Sequence, residues 1–430
     1  MLASSPDLAG QIESCIQDAD SFYTLTFRPP QAAKPDEYHF LQIGLARHGD
    51  SAHFPVGYYN QLFYGDSQIP GLRLVTATQF RDIVTNHSML AGHWADLVPE
   101  ILSFQVTERL SEQNTDQLLN RLHDPVARAA VQAAANEAAF LPPPHSETIS
   151  DAPSDAVAQQ SMLKAAASYL SHLTPELPNF IATRKTVVLE QGFSNRDPSA
   201  TAFERVPFHV AEDWTGTVSY RNGKEVVHGG DPQASAKSQP IYGVFGPILA
   251  YTTSVALNLP DSVRWSRWER GRGGRLAVFR FSVPIEKTLY YRISGCCLPG
   301  TGESYDLLPA YHGEFAIDPS SGSILRVQVQ TELSDFVPAD RSDVMVTYGP
   351  VRLGEKTYIV PLRSVAVYRG RTLLVQKQED WNTSFQTWGP FSTRISELTF
   401  EHYRLFQTDM RILPGFTPLP EGDSKTLSPH

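Results

Sequence analysis

From Ile181 to about Leu413 the chain repeats one pattern: short alternating or β-branched segments joined by turn chemistry. "VSYRNGKEVV" sets Asn222-Gly223 between two alternating runs, and Asn-Gly is the strongest short-range hairpin signal because both residues tolerate the positive φ of a type I′ turn. "RWSRWERGRGGRLAVFRFSV" predicts a second hairpin, folded at Gly271 to Gly274. "HGEFAIDPSSGSILRVQVQ" predicts a third, turning on Asp318, Pro319 and Gly322. "VMVTYGPVRLGEKTYIVPLRSVAVYRGRTLLVQ" adds three strands with turns at Gly354 and Gly370, and "LTFEHYRLFQTDMRI" closes the series. Tight turns join antiparallel neighbours, because parallel strands need long crossovers. Such a series with covering helices predicts an α+β fold whose centre is an open, curved antiparallel β-sheet, half-barrel-like in form. "IYGVFGPILAYTTSVAL" reads as a helix packed on that sheet.

Upstream the pattern changes. "TATQFRDIVTNH" opens with Thr76 and Gln79 at capping-box spacing, where a hydroxyl and an amide satisfy helix-start donors reciprocally. "DPVARAAVQAAANEAAFL" puts Asp124 at an N-cap and Pro125 at the first helical position. Its alanines favour helix, with Val126, Ala130 and Ala134 as a thin apolar face. "PPPHSETISDAPSD" reads as a linker, since proline fixes φ and removes a donor. "AVAQQSMLKAAASYLSHL" predicts a helix with Met162, Ala166, Tyr169 and Leu173 on its buried stripe. The expected organisation is an opening helix, strand and hairpin over 1–66, a helical domain over 67–141 and a linker over 142–156. A helix plus antiparallel sheet follows over 157–414, and a disordered tail over 415–430.

A net charge of −10 argues against nucleic-acid binding. No run approaches the roughly 18 apolar residues of a membrane span, so none is expected. "MLASSPDLAG" lacks the basic and apolar regions of a signal peptide. Cys15, Cys296 and Cys297 are too few for a disulfide scaffold or a zinc ribbon. The adjacent pair in "ISGCCLPG" reads as a vicinal disulfide, a soft-metal contact, or two small residues entering a loop; export of the protein would favour the disulfide. There is no Walker motif, G-x-G-x-x-G, G-x-S-x-G or H-E-x-x-H, and no histidine pair at metal-ligand spacing. Neither a cofactor, a metal site nor a catalytic residue is expected.

The segment "DLAGQIESCIQDADSFYTLTFRPPQAAKPDEYHFLQIGLARHGDSAHFPVGYYNQ" resembles the C-terminal part of the von Willebrand factor A-related domain of Acidobacteria. Phe22-Tyr23-Thr24-Leu25, Pro29-Pro30, Pro35-Asp36 and Gly57-Tyr58-Tyr59 carry the resemblance. "TERLS", "LPNFIATR", "RWERGRGGR", "PAYHGEFAIDPSSGSILR" and "FEHYR" resemble pieces of uncharacterised extensions that follow such domains. The family's A-type fold binds a hard divalent cation through D-x-S-x-S with a distant Thr and Asp. This chain has no D-x-S-x-S, and "DPSAT" at Asp197 and "DPSSG" at Asp318 sit in polar or turn contexts. The resemblance therefore implies an A-like segment without its ion-binding half, from a misplaced start or a truncation. An upstream start would make the protein periplasmic or secreted.

The hairpin residues Arg264, Trp265, Arg267, Trp268 and Arg270 are the candidate ligand-binding patch, since arginines interleaved with aromatics hold phosphates and stack on rings. Strict alternation would put Trp265 and Arg267 on one face and Trp268 and Arg270 on the other. An anionic lipid headgroup is the favoured target, and packing with ion pairing is the simpler use. His312 with Glu314 share a strand face, whereas Glu401 and His402 point apart. In organisation alone the strands with a covering helix are similar to bacterial lipoprotein carriers, whose half-open barrels enclose a lipid cavity. The expectation is a non-enzymatic extracytoplasmic protein holding a lipid, or another envelope protein, on its curved sheet. A structural or adhesion module is the alternative, and an uncharacterised hydrolase the third reading.

Overall fold

The computed structural model describes residues 37–40, 57–60, 73–89, 94–151, 155–194, 204–205, 207–221, 224–228, 253–259, 262–271, 273–288, 293–295, 305–333, 339–377 and 384–406. The strand expected at Phe22, the Asn222-Gly223 turn, the Cys296-Cys297 pair and the 415–430 tail lie outside the described residues. Among the described residues eleven strands form one antiparallel sheet that does not close. In chain order they are β1 (Thr148–Ile149), β2 (Phe180–Gln191), β3 (His209–Arg221), β4 (Lys224–His228), β5 (Val263–Gly271) and β6 (Gly274–Val283). Then follow β7 (Ala310–Ile317), β8 (Ile324–Glu332), β9 (Ala339–Leu353), β10 (Lys356–Lys377) and β11 (Ser384–Leu405).

Across the sheet the order is β4-β3-β2-β11-β10-β9-β8-β7-β6-β5-β1. Strands β5 to β11 are thus one meander, and β11 then pairs with β2 to attach the β2-β3-β4 meander. The expected hairpins β3-β4, β5-β6, β7-β8 and β9-β10 all form. In the β7-β8 turn the Asp318 carboxylate accepts from the Ser320 amide at 3.0 Å and from the Ser321 hydroxyl at 2.8 Å. The turn expected at Gly370 does not form. Strand β10 runs through it, pairing Gly370 with Ala339 and Ser392. The glycine instead makes room for Tyr368, whose hydroxyl oxygen would lie 2.7 Å from an added Cβ. The stretch read as a linker also does more than connect: Thr148 and Ile149 pair with Glu269 and Trp268 as the edge strand β1.

Helices cover both faces of the sheet. Helix α1 (Ala77–Met89) starts with the expected capping box, the Thr76 amide donating to Gln79 Oε1 at 2.8 Å and the Gln79 amide to Thr76 Oγ1 at 3.2 Å. Helices α2 (Trp94–Leu102) and α3 (Glu112–Leu119) complete a small unit with α4 (Pro125–Ala138). Its Arg73–Val75 and Phe104–Val106 strands pair in parallel. Asp124 caps α4 as expected, accepting from the Val126 and Ala127 amides at 3.0 and 2.8 Å. Its apolar face is not the expected one, because Val126 is exposed. Helix α4 is instead buried on two sides: Ala127, Ala130, Val131 and Ala135 join the helical core, while Ala129 and Ala133 join Val187, Leu189, Val365, Val367 and Ile395 of the sheet. Small side chains on both sides let one helix serve two cores at close approach.

The opposite face is covered by α5 (Ala156–Glu176), with α6 (Ser254–Asn258) beside it. Met162, Ala166 and Leu170 of α5 enter a cluster with Phe180, Val218, Phe279, Phe315, Val346 and Phe400. Only the last part of the helix expected over "IYGVFGPILAYTTSVAL" is described, as α6, and its Ala256 is fully buried.

Gly322 ties the β7-β8 turn to α5. Its φ is +74°, and an added Cβ would lie 2.6 Å from the backbone carbon of Ala165. Left-handed backbone costs an alanine about 1 kcal/mol, and overpacking adds one or two more. Gly322→Ala should therefore lower the urea midpoint by the equivalent of about 2–3 kcal/mol. An unchanged midpoint would show that the turn does not seat the helix.

Candidate functional site

A β-bulge between Trp265 and Arg267 resets the alternation of β5. Trp265 and Trp268, expected on opposite faces, therefore share one. Their ring centroids are 4.7 Å apart, Trp265 stands edge-on to Phe279 at 5.3 Å, and Trp268 is buried in the α5-side core. Arg267 turns toward the helical unit, while Arg264 and Arg270 are exposed. Arg275, opposite Arg270, lies 3.5 Å from the Trp268 ring centroid and pairs with Asp151 at 2.8 Å. The five hairpin residues do not form one surface.

What the arginines do is hold a buried carboxylate. Glu269 is fully buried, and Arg326 and Arg109 donate to its Oε2 at 2.8 and 3.1 Å. Arg267 Nε donates to its Oε1 at 2.9 Å, and the same guanidinium reaches Glu314 at 2.6 and 2.7 Å. Arg280 adds a bond to Glu314 at 3.0 Å, and Arg109 reaches Glu147 at 3.2 Å. Arg109 belongs to the helical unit and Glu147 to the segment leading into β1, so the network fastens three parts of the chain together. Burial opposes ionisation of Glu269, but the Arg326, Arg109 and Arg267 charges outweigh it and hold the carboxyl at about 2.

A second network docks α4. Glu397 accepts from Gln132 Nε2 at 2.7 Å, Asn136 Nδ2 at 2.9 Å and Arg363 Nε at 2.7 Å, while Arg363 also donates to Asn136 Oδ1 at 2.6 Å. Both networks consume charges in holding elements together and carry no reactive group.

The α5 side differs. A cavity of about 450 Å³ lies between α5, the β7-β8 turn and the start of β10. Ala165, Ser168, Tyr169, His172 and Leu177 form one wall; Ser321, Ser323, Thr357, Tyr358 and Ile359 form the other. The Tyr169 hydroxyl is buried and has no hydrogen-bond partner among the described residues. Burial pushes its pKa up, so it stays a neutral donor. His172 Nδ1 donates to the Ser168 carbonyl at 2.8 Å. Behind Tyr169 lie Tyr348 and Tyr403, whose hydroxyls burial also raises well above the usual range, with the Glu225 carboxylate adding to both. At a bulge in β11, His402 adopts φ 52°, and Tyr403 donates to the Pro361 carbonyl. Arg184 lies 5.1 Å from the Trp214 ring centroid and donates to Thr186 Oγ1 at 3.2 Å; burial lowers its pKa and Glu225 opposes that.

Other groups with chemical potential are engaged structurally. Glu314 is taken by arginines, and His312 pairs with Glu332 at 3.2 Å, so the two residues that share a strand face have different partners. Ser219 meets His228 at 2.9 Å and Ser171 meets His172 at 3.2 Å, but each hydroxyl also reaches a backbone carbonyl, which competes for its proton. No metal-ligating cluster of His, Cys, Asp or Glu occurs among the described residues. Comparison with known proteins finds no matching family model, curated protein or solved structure.

Sequence reasoning placed Tyr169 on the buried stripe of α5 but passed over Arg184, Trp214, Glu225, Tyr348 and Tyr403. The available signal was phase. Arg184 shares the even register of Phe180 and Ala182, which are buried on the α5 side, so a charge fell where the alternation calls for an apolar residue.

Glu269 supplies a prediction with a definite sign. Its folded-state pKa lies below the ordinary 4.5, so the stabilisation is complete above 4.5 and is lost as pH falls toward about 2. Glu269→Gln should cost on the order of 3–5 kcal/mol at neutral pH, because three arginines lose their buried partner. It should also flatten the acid limb of stability, measured as urea midpoints at neutral and acidic pH. A variant with native midpoints at both would remove Glu269 from its central place.

Proposed function

We propose that this chain is a non-enzymatic binding protein that holds a hydrophobic or amphipathic ligand on the α5 side of its sheet, with α5 as the cover. The observation that carries the reading is the cavity of about 450 Å³ under α5. Its size falls within the range of small-molecule sites, roughly 300–1,000 Å³, and it is a half-open cleft, with Ser168, His172, Ser321 and Thr357 of its lining exposed. Its walls mix hydroxyls with Ala165, Leu177, Ile359 and two tyrosine rings, as an amphipathic ligand requires.

The half-barrel form is part of the proposal. One continuous apolar cluster includes Val218 of β3, Trp268 of β5 and three residues of α5. Eight strand spacings separate β3 from β5. A helix-covered apolar face running from β3 to β5 is what supports the likeness in organisation to lipoprotein carriers. Extracytoplasmic placement and an acidobacterial A-related origin rest on the opening segment alone. Among the described residues its Glu37–Phe40 and Gly57–Asn60 strands pair as a hairpin. No helix of the described residues is long and apolar enough to cross a membrane.

A second reading, an adhesion module, draws on the β4 edge. Among the described residues β4 pairs only with β3, and Val226 and Val227 are 48% and 38% exposed. Such an edge can accept an added strand.

The environment-sensitive dye N-phenyl-1-naphthylamine separates the readings. Saturable fluorescence enhancement is expected with the wild-type chain. Ser168→Trp, placed at an exposed cavity-lining position, should weaken it by about tenfold or more through loss of volume. No enhancement, or equal enhancement in the variant, would sink the cavity reading and leave the β4 edge.

A further inference from the structure

The two edges of the sheet are built differently. At the β5 edge the bulge between Trp265 and Arg267 interrupts the strand, and Trp268 and Glu269 beyond it are already paired with β1. Bulges and short covering strands are ordinary ways of closing an edge to other chains. Strand β4 has neither. Its register with β3 runs without a shift from Lys224 opposite Arg221 to His228 opposite Thr217, and among the described residues nothing pairs with its outer side.

That outer side offers both backbone and side chains. Ser219 Oγ reaches the Val226 carbonyl at 3.5 Å, so the Val226 backbone is aimed at β3. Antiparallel pairs alternate, which leaves the amides and carbonyls of Glu225 and Val227 pointing outward as an unfilled ladder. Val226 and Val227 expose apolar side chains on opposite faces. Val226 shares its face with Lys224, with Arg221 opposite Lys224, and with His228, which Ser219 Oγ meets at 2.9 Å. Glu225 turns to the other face, where its charge acts on Arg184, Tyr220, Tyr348 and Tyr403. The next carboxylate along β3 on the Val226 face is Asp213, which pairs with Lys185 at 3.9 Å. In a chain of net charge −10 this edge is locally basic.

Charge separates the possible occupants. A second copy of this chain, pairing Val226 upon Val226, would set the Lys224 of each copy against the His228 of the other and Glu225 against Val227. That gains no ion pair between two chains of like net charge. We propose that β4 is a docking edge for an extended segment of another protein, added antiparallel, with acidic residues opposite Lys224 and His228 and β-branched residues opposite Val226 and Val227. Its support is separate from that of the α5 cleft, which no β4 residue lines.

Fluorescence anisotropy with the full chain tests this, using the labelled peptide Gly-Asp-Val-Val-Thr-Glu-Gly and a counterpart with lysine in place of both acids. The acidic peptide should bind about tenfold or more tightly than the basic one, with a difference that shrinks as salt rises. Val227→Pro removes an outward amide and spares the bonds to β3, so it should weaken binding about tenfold or more and leave the melting temperature little changed. Lys224→Glu, at an exposed position, should abolish the preference for the acidic peptide whether or not the strand tolerates proline. Equal binding of the two peptides, native affinity in a folded Val227→Pro, or a preference that Lys224→Glu leaves intact would each overturn the proposal. A dimer in sedimentation that Val227→Pro dissociates, with no peptide bound, would overturn it in favour of a second copy. Dye enhancement should be the same in the wild type and in Lys224→Glu, so the cleft and the edge succeed or fail separately.

Discussion

Pairing of β2 with β11 makes one sheet out of two meanders. Strand β2 is 12 residues long and matches β11 antiparallel from Phe180 opposite Leu405 to Gln191 opposite Thr393. Because α5 ends just before β2, this pairing also fixes where α5 lies. The connection is short, Leu177 to Asn179, and the Phe406 amide donates to the Asn179 carbonyl at 2.9 Å. A helix tethered so closely to a central strand can only fold back over its own sheet. Covering one face with α5 leaves the other to α4, and the cavity forms where α5 meets the far ends of β7, β8 and β10.

The two faces are held differently. The α4 side relies on alanine packing and on Glu397 and Glu269, each enclosed by arginines or amides. Buried ion pairs contribute little net stability but make misplacement costly, since separating the partners strands a charge. They fix the register of the helical unit on the sheet. The α5 side has mainly apolar contacts and several tyrosine hydroxyls, with Arg184 and Glu225 as its buried charges. A cover held by non-directional contacts can move with a smaller penalty than one held by ion pairs. That asymmetry is why the proposed ligand exchange is assigned to the α5 side.

Most hairpins were legible because turn chemistry is local: Asn-Gly, Gly-Arg-Gly-Gly and Asp-Pro-Ser-Ser-Gly each specify a reversal through their own backbone preferences. Caps were legible for the same reason, as Thr76, Gln79 and Asp124 show. Features decided by distant partners were not. Gly370 reads as a turn, yet it is a strand residue making space for Tyr368. The bulge after Trp265 reverses the faces of the arginine hairpin, and alternation alone contains no sign of it. Thr148 and Ile149 look like linker residues until β5 supplies an edge to pair with. The site suffered most, since Tyr169, Ser323 and Tyr358 come from one helix, one turn and one strand with no spacing to connect them.

Hydrogen–deuterium exchange read by mass spectrometry, with and without a neutral amphiphile, tests the central claim that α5 covers a binding cavity. In the free chain α5 should exchange faster than β2 and β11. On ligand addition, protection should rise over residues 165–177 and 357–359, with the β5-β6 hairpin unchanged. Protection confined to β4 or to the helical unit, or an α5 as slow to exchange as the central strands and indifferent to ligand, would contradict it.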